Sequence, residues 1–503
     1  MQAWIDEEFA TLDLGDRRLE RRFRRLLEQR MDHPNLSIPA SINASDTASH
    51  RAEVEAAYRL FDNDAVDDQK ILEPHYRQTR ARIGQERVVL VAQDTTEIDL
   101  TRPRAAMEGI GPLGGIDDKR LGAFDHALLA MTVEGVPLGL LSVAIWRRDP
   151  DDPTRQLSRA DRAKIRRRTP VEEKESFRWV EGYRVCCAAA QEAEQTQIVC
   201  ISDSESDIFE LLQETQRDDG PRASWIIRAC QDRRLDHGED DQRSQELLFD
   251  AAQQLPKLGE RLLDIRRRDA NTGDGQQRKG QRSARTAQCA LHAGTVTIKP
   301  PTDLGVATPT VTVHVVLMRE INPPTGEPPI EWLLLTDLPI DDLDAALLVV
   351  TYYCRRWGIE VYFKVLKSGC RIESSQLETF ARYRNYLALS MVVAWRIMRI
   401  TLLGREHPDL PCTVVLDPDE WQAAYAVVER RPPPKTPPSL SKMIGIIAQL
   451  GGWMGRECDG PPGTQTVWIG MQRMRDLAVG WQARQWLDAK KPRPSRRNAT
   501  CVE

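Results

Sequence analysis

The sequence predicts an α/β protein with a mixed sheet, an antiparallel β insertion, and helical domains at both ends of the chain. Between residues 87 and 228, apolar runs of strand length alternate with helical stretches. From about residue 229 to 340, alternating apolar and polar runs such as residues 310–315 indicate antiparallel strands. Apolar residues at helical spacing dominate residues 14–61 and most of the chain after residue 343.

Length and composition are those of a globular protein with several domains. The chain has 503 residues, of which 41% are hydrophobic and 29% charged, and roughly 150 residues per domain suggests about three domains. No apolar run approaches the roughly 18 residues of a membrane span, and the first nine residues contain acids where a signal peptide has bases. The ten cysteines form no zinc-type spacing. We therefore expect a soluble, cytoplasmic protein with no membrane partner.

The charge distribution indicates a polyanionic partner, although the net charge is -5. Three stretches, residues 17–30, 159–168 and 266–285, together carry a net charge of +15, and the rest of the chain carries -20. Affinity for DNA follows the number of phosphates neutralised locally, so concentrated bases on an acidic protein suit DNA binding. Three solvated surfaces are the alternative interpretation.

The individual elements follow from local patterns. Residues 14–29 place leucines and Phe23 at helical spacing with arginines between them, which predicts a basic amphipathic helix. With a second helix at 48–61, it forms a predicted helical DNA-binding domain over residues 1–70. Further along the chain, we predict strands at 87–92, 127–133, 137–146, 198–202 and 224–228, and helices at 172–193, 204–215, 343–366 and 376–403.

Two carboxylates follow buried strands. Asp94 comes after the apolar run 88–92, and Asp203 comes after 198–201. Side chains at strand ends face the crevice where α/β proteins bind ligands, so two such acids could hold a divalent cation together. Alternatively, Asp203 caps a helix and Asp94 opens a turn.

The predicted helix around residue 356 adds a third acid. Its polar residues are spaced 3, 4, 4 and 3 apart, and at 100° per residue they share one helix face; they are Tyr353, Arg356, Glu360, Lys364 and Lys367. This face could offer a carboxylate to a metal ion and cations to phosphates. The alternative is a solvated face on which Glu360 pairs with Arg356 and Lys364.

These residues form the pattern Tyr-x2-Arg-x3-Glu-x6-Lys, which resembles the signature of the insertion-sequence-four family of DDE cut-and-paste transposases. Further similar segments occur in the same order, and the resemblance covers nearly the whole chain. They are Asp-Thr-Thr at 94–96, Trp-Arg-Arg-Asp-Pro-Asp-Asp-Pro at 146–153, Glu-Lys-Glu-Ser at 173–176 with Trp179, Ile-Asn-Pro-Pro at 321–324, Trp-Leu-Leu-Leu-Thr at 332–336, and Leu-Gly-Gly at 450–452.

The resemblance implies a ribonuclease-H-like catalytic core over residues 71–378, with the β insertion at about 229–340, followed by a helical dimerisation domain at 379–503. It also implies that Asp94, Asp203 and Glu360 form a DDE triad that holds two Mg²⁺ ions, for which Mn²⁺ can substitute. The implied reaction is metal-dependent phosphoryl transfer at terminal inverted repeats, by end nicking, hairpin formation and opening, and strand transfer. The implied partners are transposon-end DNA, target DNA and a second copy of the chain in a synaptic complex.

The resemblance assigns DNA contacts as well. Tyr353, Arg356 and Lys367 match positions that grip a phosphate near the element's end, and Arg228 and Lys364 match further contacts. Trp332 matches the aromatic residue on which a flipped base stacks.

One departure from the family pattern concerns the second acid. The family commonly has Asp-Arg-Glu-Ala-Asp there, whereas this chain has Ser204 in the position of the arginine. Two alternatives therefore stay open: an inactive or inhibitory DNA-binding relative, and a metal-dependent nuclease that does not transfer strands.

Overall fold

The computed structural model describes residues 2–44, 50–102, 107–115, 118–217, 220, 222–238, 245–265, 282–302, 308–456 and 459–490. The chain forms two compact units. The sheet unit contains His75–Phe363 and Glu378–Phe380, and the helical unit contains Met1–Pro74, Lys364–Leu377 and Ala381–Glu503. The predicted basic loop at 266–285 lies mostly outside the described residues.

In the described part of the chain, ten strands form one sheet with the order β2-β3-β1-β5-β6-β10-β9-β8-β7, and β4 also pairs with β3. The strands are β1 (Val88–Asp99), β2 (Gly111–Pro112), β3 (Leu121–Met131), β4 (Pro137–Trp146), β5 (Gln197–Ser202), β6 (Ser224–Arg228), β7 (Lys257–Ile265), β8 (Arg285–Ile298), β9 (Val311–Glu320) and β10 (Glu331–Thr336). Strands β1, β5 and β6 are parallel neighbours. The other pairings are antiparallel. The predicted mixed sheet is therefore confirmed, and the predicted antiparallel segment continues this same sheet.

Helices precede, interrupt and follow the strands. They are α1 (Gln2–Glu8), α2 (Arg17–Asp32), α3 (Ile38–Ala44), α4 (His50–Phe61), α5 (Asp68–Ile83), α6 (Arg159–Arg168), α7 (Phe177–Glu192), α8 (Phe209–Glu214), α9 (Leu248–Gln254), α10 (Leu343–Arg355), α11 (Trp357–Lys364), α12 (Phe380–Glu406), α13 (Pro418–Glu429), α14 (Leu440–Leu450) and α15 (Thr464–Lys490).

Helix α7 packs closely on the sheet. Its Trp179 is fully buried, and together with Trp225 of β6 it belongs to the main apolar core of the sheet unit. The close approach requires a glycine, because a Cβ atom at Gly182 would lie 2.3 Å from Oε1 of Gln93 on β1. Burial of such large aromatic side chains supplies much of the hydrophobic stabilisation of a core. This packing fixes the N-terminal turn of α7 above β1.

The helical unit has an apolar core of its own, built largely from α13, α14 and α15. Helix α12 has the length and hydropathy of a membrane span, which corrects the expectation that no apolar run is long enough. In the structure, 83% of its apolar window is buried inside the protein, and Trp395 of this helix contacts Trp4 at a ring distance of 6.2 Å. Protein side chains therefore cover its apolar surface.

Several sequence-based boundaries differ from the structure, among them the predicted helix 204–215, which is a short 3-10 turn followed by α8. Two further differences lie at the predicted site. Strand β1 does not end before Asp94, because β3 pairs with it from Leu90 to Asp99. The predicted helix 343–366 is interrupted at Arg356, whose N–H donates to the carbonyl of Tyr353 at 3.1 Å. After α11 the chain continues into a π-helical turn, Val365–Gly369. The 3.6-residue geometry therefore does not hold across the whole segment, and the five polar residues do not share one uninterrupted helix face.

Candidate active site

The parallel pairing of β1 and β5 brings the first two acids to the same region of the sheet. Ala92 on β1 is in register with Ile201 on β5. Asp94 and Asp203 each follow these partners by two residues, so both lie toward the carboxyl ends of adjacent parallel strands. That edge of the sheet is where α/β proteins position ligand-binding side chains.

Asp203 also acts as a helix cap, as its alternative interpretation predicted. Its Oδ1 accepts a hydrogen bond of 2.9 Å from the N–H of Glu205, at the start of the short 3-10 helix Ser204–Ser206. Capping uses one carboxylate oxygen and leaves lone pairs on the other. The two roles of Asp203 are therefore compatible.

Arg356 joins the first acid to the third. From the junction of α10 and α11, its Nη1 lies 3.1 Å from Oδ2 of Asp94, and its Nη2 lies 2.5 Å from Oε1 of Glu360. The side chain of Arg356 is only 14% exposed. The ion pair with Glu360 was the alternative interpretation of this helix, and the bond to Asp94 turns that local pair into a three-residue cluster.

The electrostatics of Asp94 show how close these acids are. Burial, followed by the negative charge of Asp203, raises the pKa of Asp94 to about 7, although Arg356 lowers it. Glu360 adds a smaller contribution in the upward direction. Like charges near a desolvated carboxylate disfavour its ionised form, so one guanidinium does not fully compensate this group of acids.

The donor set suits a hard divalent cation, because three carboxylates offer only oxygen ligands. Among the described residues, however, no three His, Cys, Asp or Glu side chains are spaced to hold a metal ion. The reason is visible in the hydrogen bonds, since Arg356 engages both Asp94 and Glu360. The chemistry of these residues thus fits a metal ion better than their spacing does.

Aromatic and basic residues predicted to contact DNA surround the acids within the sheet unit. Trp332 on β10 is partly exposed, and its ring lies 5.4 Å from that of Tyr353 in an edge-to-face arrangement. Burial raises the pKa of Tyr353, and the positive charges of Arg356 and then Arg228 oppose this shift. Arg228 is at the end of β6, in register with Leu334 of β10.

The two predicted lysines lie at the end of this segment. Lys364 is the last residue of α11, and Lys367 is in the π-helical turn, 3.7 Å from Glu373. Both belong to the helical unit.

Sequence reasoning missed Arg178, at the start of α7. Its Nε donates to Oγ1 of Thr95 at 2.8 Å, and its Nη2 donates to Oε2 of Glu205 at 3.0 Å. Thr95 directly follows Asp94, and Glu205 follows Asp203 by two residues. Arg178 precedes Gly182 by four residues, so the two share one face of the helix, and the small glycine could have indicated that this face contacts the sheet. The sequence does not reveal the partners of Arg178.

The Thr95 hydroxyl continues into a buried polar chain. Its Oγ1 lies 2.9 Å from Nδ1 of His126, whose Nε2 lies 3.3 Å from Oε1 of Gln93. Burial, with a smaller contribution from Arg178, lowers the pKa of His126 to about 3. Because this imidazole is neutral, Nδ1 accepts from Thr95 while Nε2–H donates to Gln93.

Three family models match the chain. Residues 1–66 match the transposase DNA-binding family, residues 211–395 the transposase DDE domain, and residues 392–488 the dimerisation domain of the Tn5 transposase. Of the three acids, only Glu360 lies within the matched DDE segment.

The matches confirm the family that the sequence pattern indicated. They support a DNA-binding, DNA-cleaving and strand-transfer enzyme that dimerises, and a DDE domain implies dependence on a divalent metal ion. The chain belongs to the Tn5-like DDE transposases.

Proposed function

We propose that the protein catalyses cut-and-paste transposition at terminal inverted repeats, by end nicking, hairpin formation and opening, and strand transfer. Asp94, Asp203 and Glu360 are its catalytic carboxylates and bind two Mg²⁺ ions, for which Mn²⁺ can substitute. The observation that carries this proposal is the cluster in which Arg356 bonds to both Asp94 and Glu360, with Asp203 near enough to raise the pKa of Asp94.

Two bound metal ions supply activation of the attacking oxygen and stabilisation of the leaving oxygen in an in-line transfer. The residues of the chain orient the DNA for this reaction. Arg356, which here bonds to Asp94 and Glu360, would donate to a DNA phosphate if these two acids held such ions. A planar guanidinium suits both partners, because carboxylates and phosphates accept the same paired N–H groups.

The remaining polar residues hold the DNA near the scissile bond. Tyr353 and Lys367 assist Arg356 at the phosphate, and Arg228 and Lys364 make further contacts. Trp332 stacks on a base flipped out during hairpin formation, which returns roughly 1 to 3 kcal/mol of the unstacking cost. The partly exposed ring of Trp332 beside Tyr353 supports this role.

We also propose the domain boundaries that follow from this function. Residues 1–70 bind DNA, residues 71–378 form the ribonuclease-H-like catalytic domain, and residues 379–503 dimerise the protein in a cytoplasmic synaptic complex. The ordered family matches at 1–66, 211–395 and 392–488 support this division.

The decisive experiment removes each acid separately. We expect Asp94→Ala, Asp203→Ala and Glu360→Ala to abolish Mg²⁺-dependent nicking of duplexes that contain the DNA flanking the gene, and to leave gel-shift binding to the same duplexes largely intact. The loss should reach at least roughly a hundred- to a thousandfold, as when one preorganised transition-state interaction is removed. Nicking at the wild-type rate by any variant contradicts the assignment of that acid.

The two alternative functions give different results in the same assay. A wild-type protein that binds the duplexes and cuts none of them at any Mg²⁺ or Mn²⁺ concentration is an inactive relative. Cutting without capture of the cut ends into a plasmid indicates a nuclease that does not transfer strands. Cutting with capture supports transposition.

Helix α6 provides a further DNA surface in this proposal. Residues 160–168 are all exposed, and the helix contains six bases and one acid. Like charges one turn apart destabilise such a helix in isolation, and a phosphate backbone relieves that repulsion.

Replacing Arg162, Arg166, Arg167 and Arg168 by Gln tests this surface. The slope of log affinity against log salt for a DNA duplex should fall by about 0.9 for each phosphate that the helix no longer neutralises. The matched control replaces four exposed bases of the helical unit, Arg430, Arg431, Lys435 and Arg456. Equal slopes for the two variants exclude DNA binding by α6.

A further inference from the structure

One arginine connects the segments that follow the first two acids. Arg178 donates from Nε to the hydroxyl of Thr95 and from Nη2 to the carboxylate of Glu205. Thr95 directly follows Asp94, and Glu205 follows Asp203 by two residues. A single rigid guanidinium thus bonds to the β1 segment and to the β5 segment at the edge of the sheet that contains both acids.

The guanidinium is held firmly in this position. Its Nη1 donates to the backbone carbonyl of Glu175 at 2.6 Å. The rings of Trp146 and Trp179 lie 5.6 and 5.2 Å from its central carbon. The side chain of Arg178 is only 15% exposed. Packing against aromatic rings and bonds from all three nitrogens leave the group little freedom to rotate.

The local sequence after Asp203 offers no cation of its own, because residues 204–207 are Ser-Glu-Ser-Asp. Arg178 therefore supplies a positive charge to this segment from another element, α7. Its bond to Glu205 also acts on the turn that Asp203 caps, since Oδ1 of Asp203 accepts from the N–H of Glu205. The same side chain thus bears on the positions of both acids.

We propose that Arg178 is a positioning residue, which restrains the segments that carry Asp94 and Asp203 relative to each other by linking Thr95 to Glu205. The inference rests on the proposed function of the two acids. Partners that orient metal ligands from outside the coordination sphere typically affect metal affinity by 10- to 100-fold. Loss of Arg178 is therefore expected to weaken metal binding without unfolding the protein.

The structure provides a matched control on the same helix. Arg184 donates from Nε and Nη2 to the carboxylate of Glu214 at 2.7 and 2.9 Å, and its guanidinium lies 5.4 Å from the ring of Phe177. It resembles Arg178 in chemistry, but it links α7 to α8 and bonds to neither strand segment. Arg184→Gln thus measures the cost of losing an ion pair of α7 outside the site.

The experiment compares Arg178→Gln, Arg178→Lys and Arg184→Gln in the full-length protein. Mn²⁺ binding is followed by electron paramagnetic resonance in the presence of duplex DNA from the gene's flanks, and nicking is titrated with Mn²⁺. We expect Arg178→Gln to raise both midpoints by roughly 10- to 100-fold. Arg178→Lys retains the positive charge but can make only some of the bonds to Thr95 and Glu205, so we expect Mn²⁺ midpoints between those of the wild type and Arg178→Gln. Arg184→Gln should match the wild type, and thermal unfolding confirms that all variants are folded.

A double substitution tests the link itself. If Arg178 acts through Glu205, the Mn²⁺ midpoint of the Arg178→Gln/Glu205→Gln protein should equal that of Arg178→Gln alone. If the two substitutions instead raise the Mn²⁺ midpoint independently, so that their effects multiply in the double variant, the inference is wrong. It is also wrong if Arg178→Gln leaves the midpoints unchanged, or if Arg178→Gln and Arg184→Gln raise them equally. A wild-type protein that neither binds Mn²⁺ nor cuts DNA overturns the proposed function instead, and the inference falls with it.

Discussion

Asp94 and Asp207 are both largely buried carboxylates near the carboxyl ends of parallel strands, and the protein surrounds them differently. Asp207 accepts hydrogen bonds of 2.7 Å from the N–H groups of Cys230 and Gln231. Its other oxygen lies 2.7 Å from Nη2 of Arg233. Asp94 accepts from the N–H of Thr95 and shares Arg356 with Glu360, next to a second acid, and its pKa is raised to about 7.

The difference distinguishes a structural carboxylate from one suited to a ligand. The charge of Asp207 is matched by two backbone donors and its own arginine, so nothing further is needed for its stability. Asp94 lies in a group of three acids with one nearby guanidinium, and only added positive charge can compensate it fully. Burial alone does not distinguish Asp94 from Asp207, whereas the number of hydrogen-bond donors to each carboxylate does.

The strongest test of this comparison is Asp207→Asn. The substitution leaves Arg233, whose side chain is 9% exposed, without its carboxylate. Loss of one partner of a buried pair costs about 3 to 5 kcal/mol, so the free energy of unfolding in urea should fall by that amount. Asp203→Asn, at the partly exposed capping position, should change it far less. Equal losses of stability in the two variants would contradict the structural role given to Asp207.

Asp337 sharpens the comparison, because it is a carboxylate that accepts from a backbone donor although its residue is exposed at the surface. It accepts from the N–H of Trp225 at 2.8 Å, and burial raises its pKa from 3.8 to about 6. The folded state therefore binds this proton more tightly than the unfolded state does. The stabilising contribution is complete below pH 3.8 and is lost as the pH rises through about 6.

Asp337→Asn should remove this pH dependence. The amide oxygen can still accept from Trp225, and no proton is released. Between about pH 4 and pH 8, the free energy of unfolding of the variant relative to the wild type should therefore rise by at most about 1 kcal/mol, because solvent screens the charge of this exposed residue. Urea titrations at several pH values measure the difference, and parallel pH profiles for the two proteins would rule out the effect.

A further expected effect concerns the packing that brings α7 to the acids. In Gly182→Ala, the added methyl group meets Oε1 of Gln93, which is fully buried. Overpacking of this kind costs about 1 to 3 kcal/mol. The displaced helix should also raise the Mn²⁺ midpoint through Arg178, whereas Gly480→Ala on α15, with no neighbour within 4 Å, should leave the midpoint unchanged and stabilise its helix by up to about 1 kcal/mol. If Gly182→Ala lowers stability but leaves the Mn²⁺ midpoint unchanged, the packing of α7 at Gly182 does not contribute to the positioning by Arg178.

Local patterns in the sequence were enough to predict the mixed sheet and to single out Asp203 after a strand, whereas Asp94 lies inside β1. Strand periodicity is a property of neighbouring residues, so it can be recognised without knowledge of the partner strands. Glu360 comes close to Asp94 because Arg356 bonds to both acids, and the bond from Arg356 to Asp94 joins residues that are 262 positions apart in the chain. Only the family resemblance indicated that these acids belong together.

The features that sequence reasoning missed depend on tertiary structure. The interruption at Arg356 accompanies its bonds to two carboxylates, whereas helical periodicity predicts an unbroken helix. The partners of Arg178 are 83 and 27 residues away, on different elements. Spacing along the chain contains no information about which strand a helix covers, so these bonds could only be found in three dimensions.

The pairing of β1 with β5 brings Asp94 and Asp203 to neighbouring positions of the sheet whatever the length of chain that connects them. The intervening chain can be lengthened or shortened outside the paired strands, as the excursion through α6 illustrates, while the two carboxyl groups keep their places. A change in the length of this connection is therefore expected to leave the arrangement of the two acids unaltered.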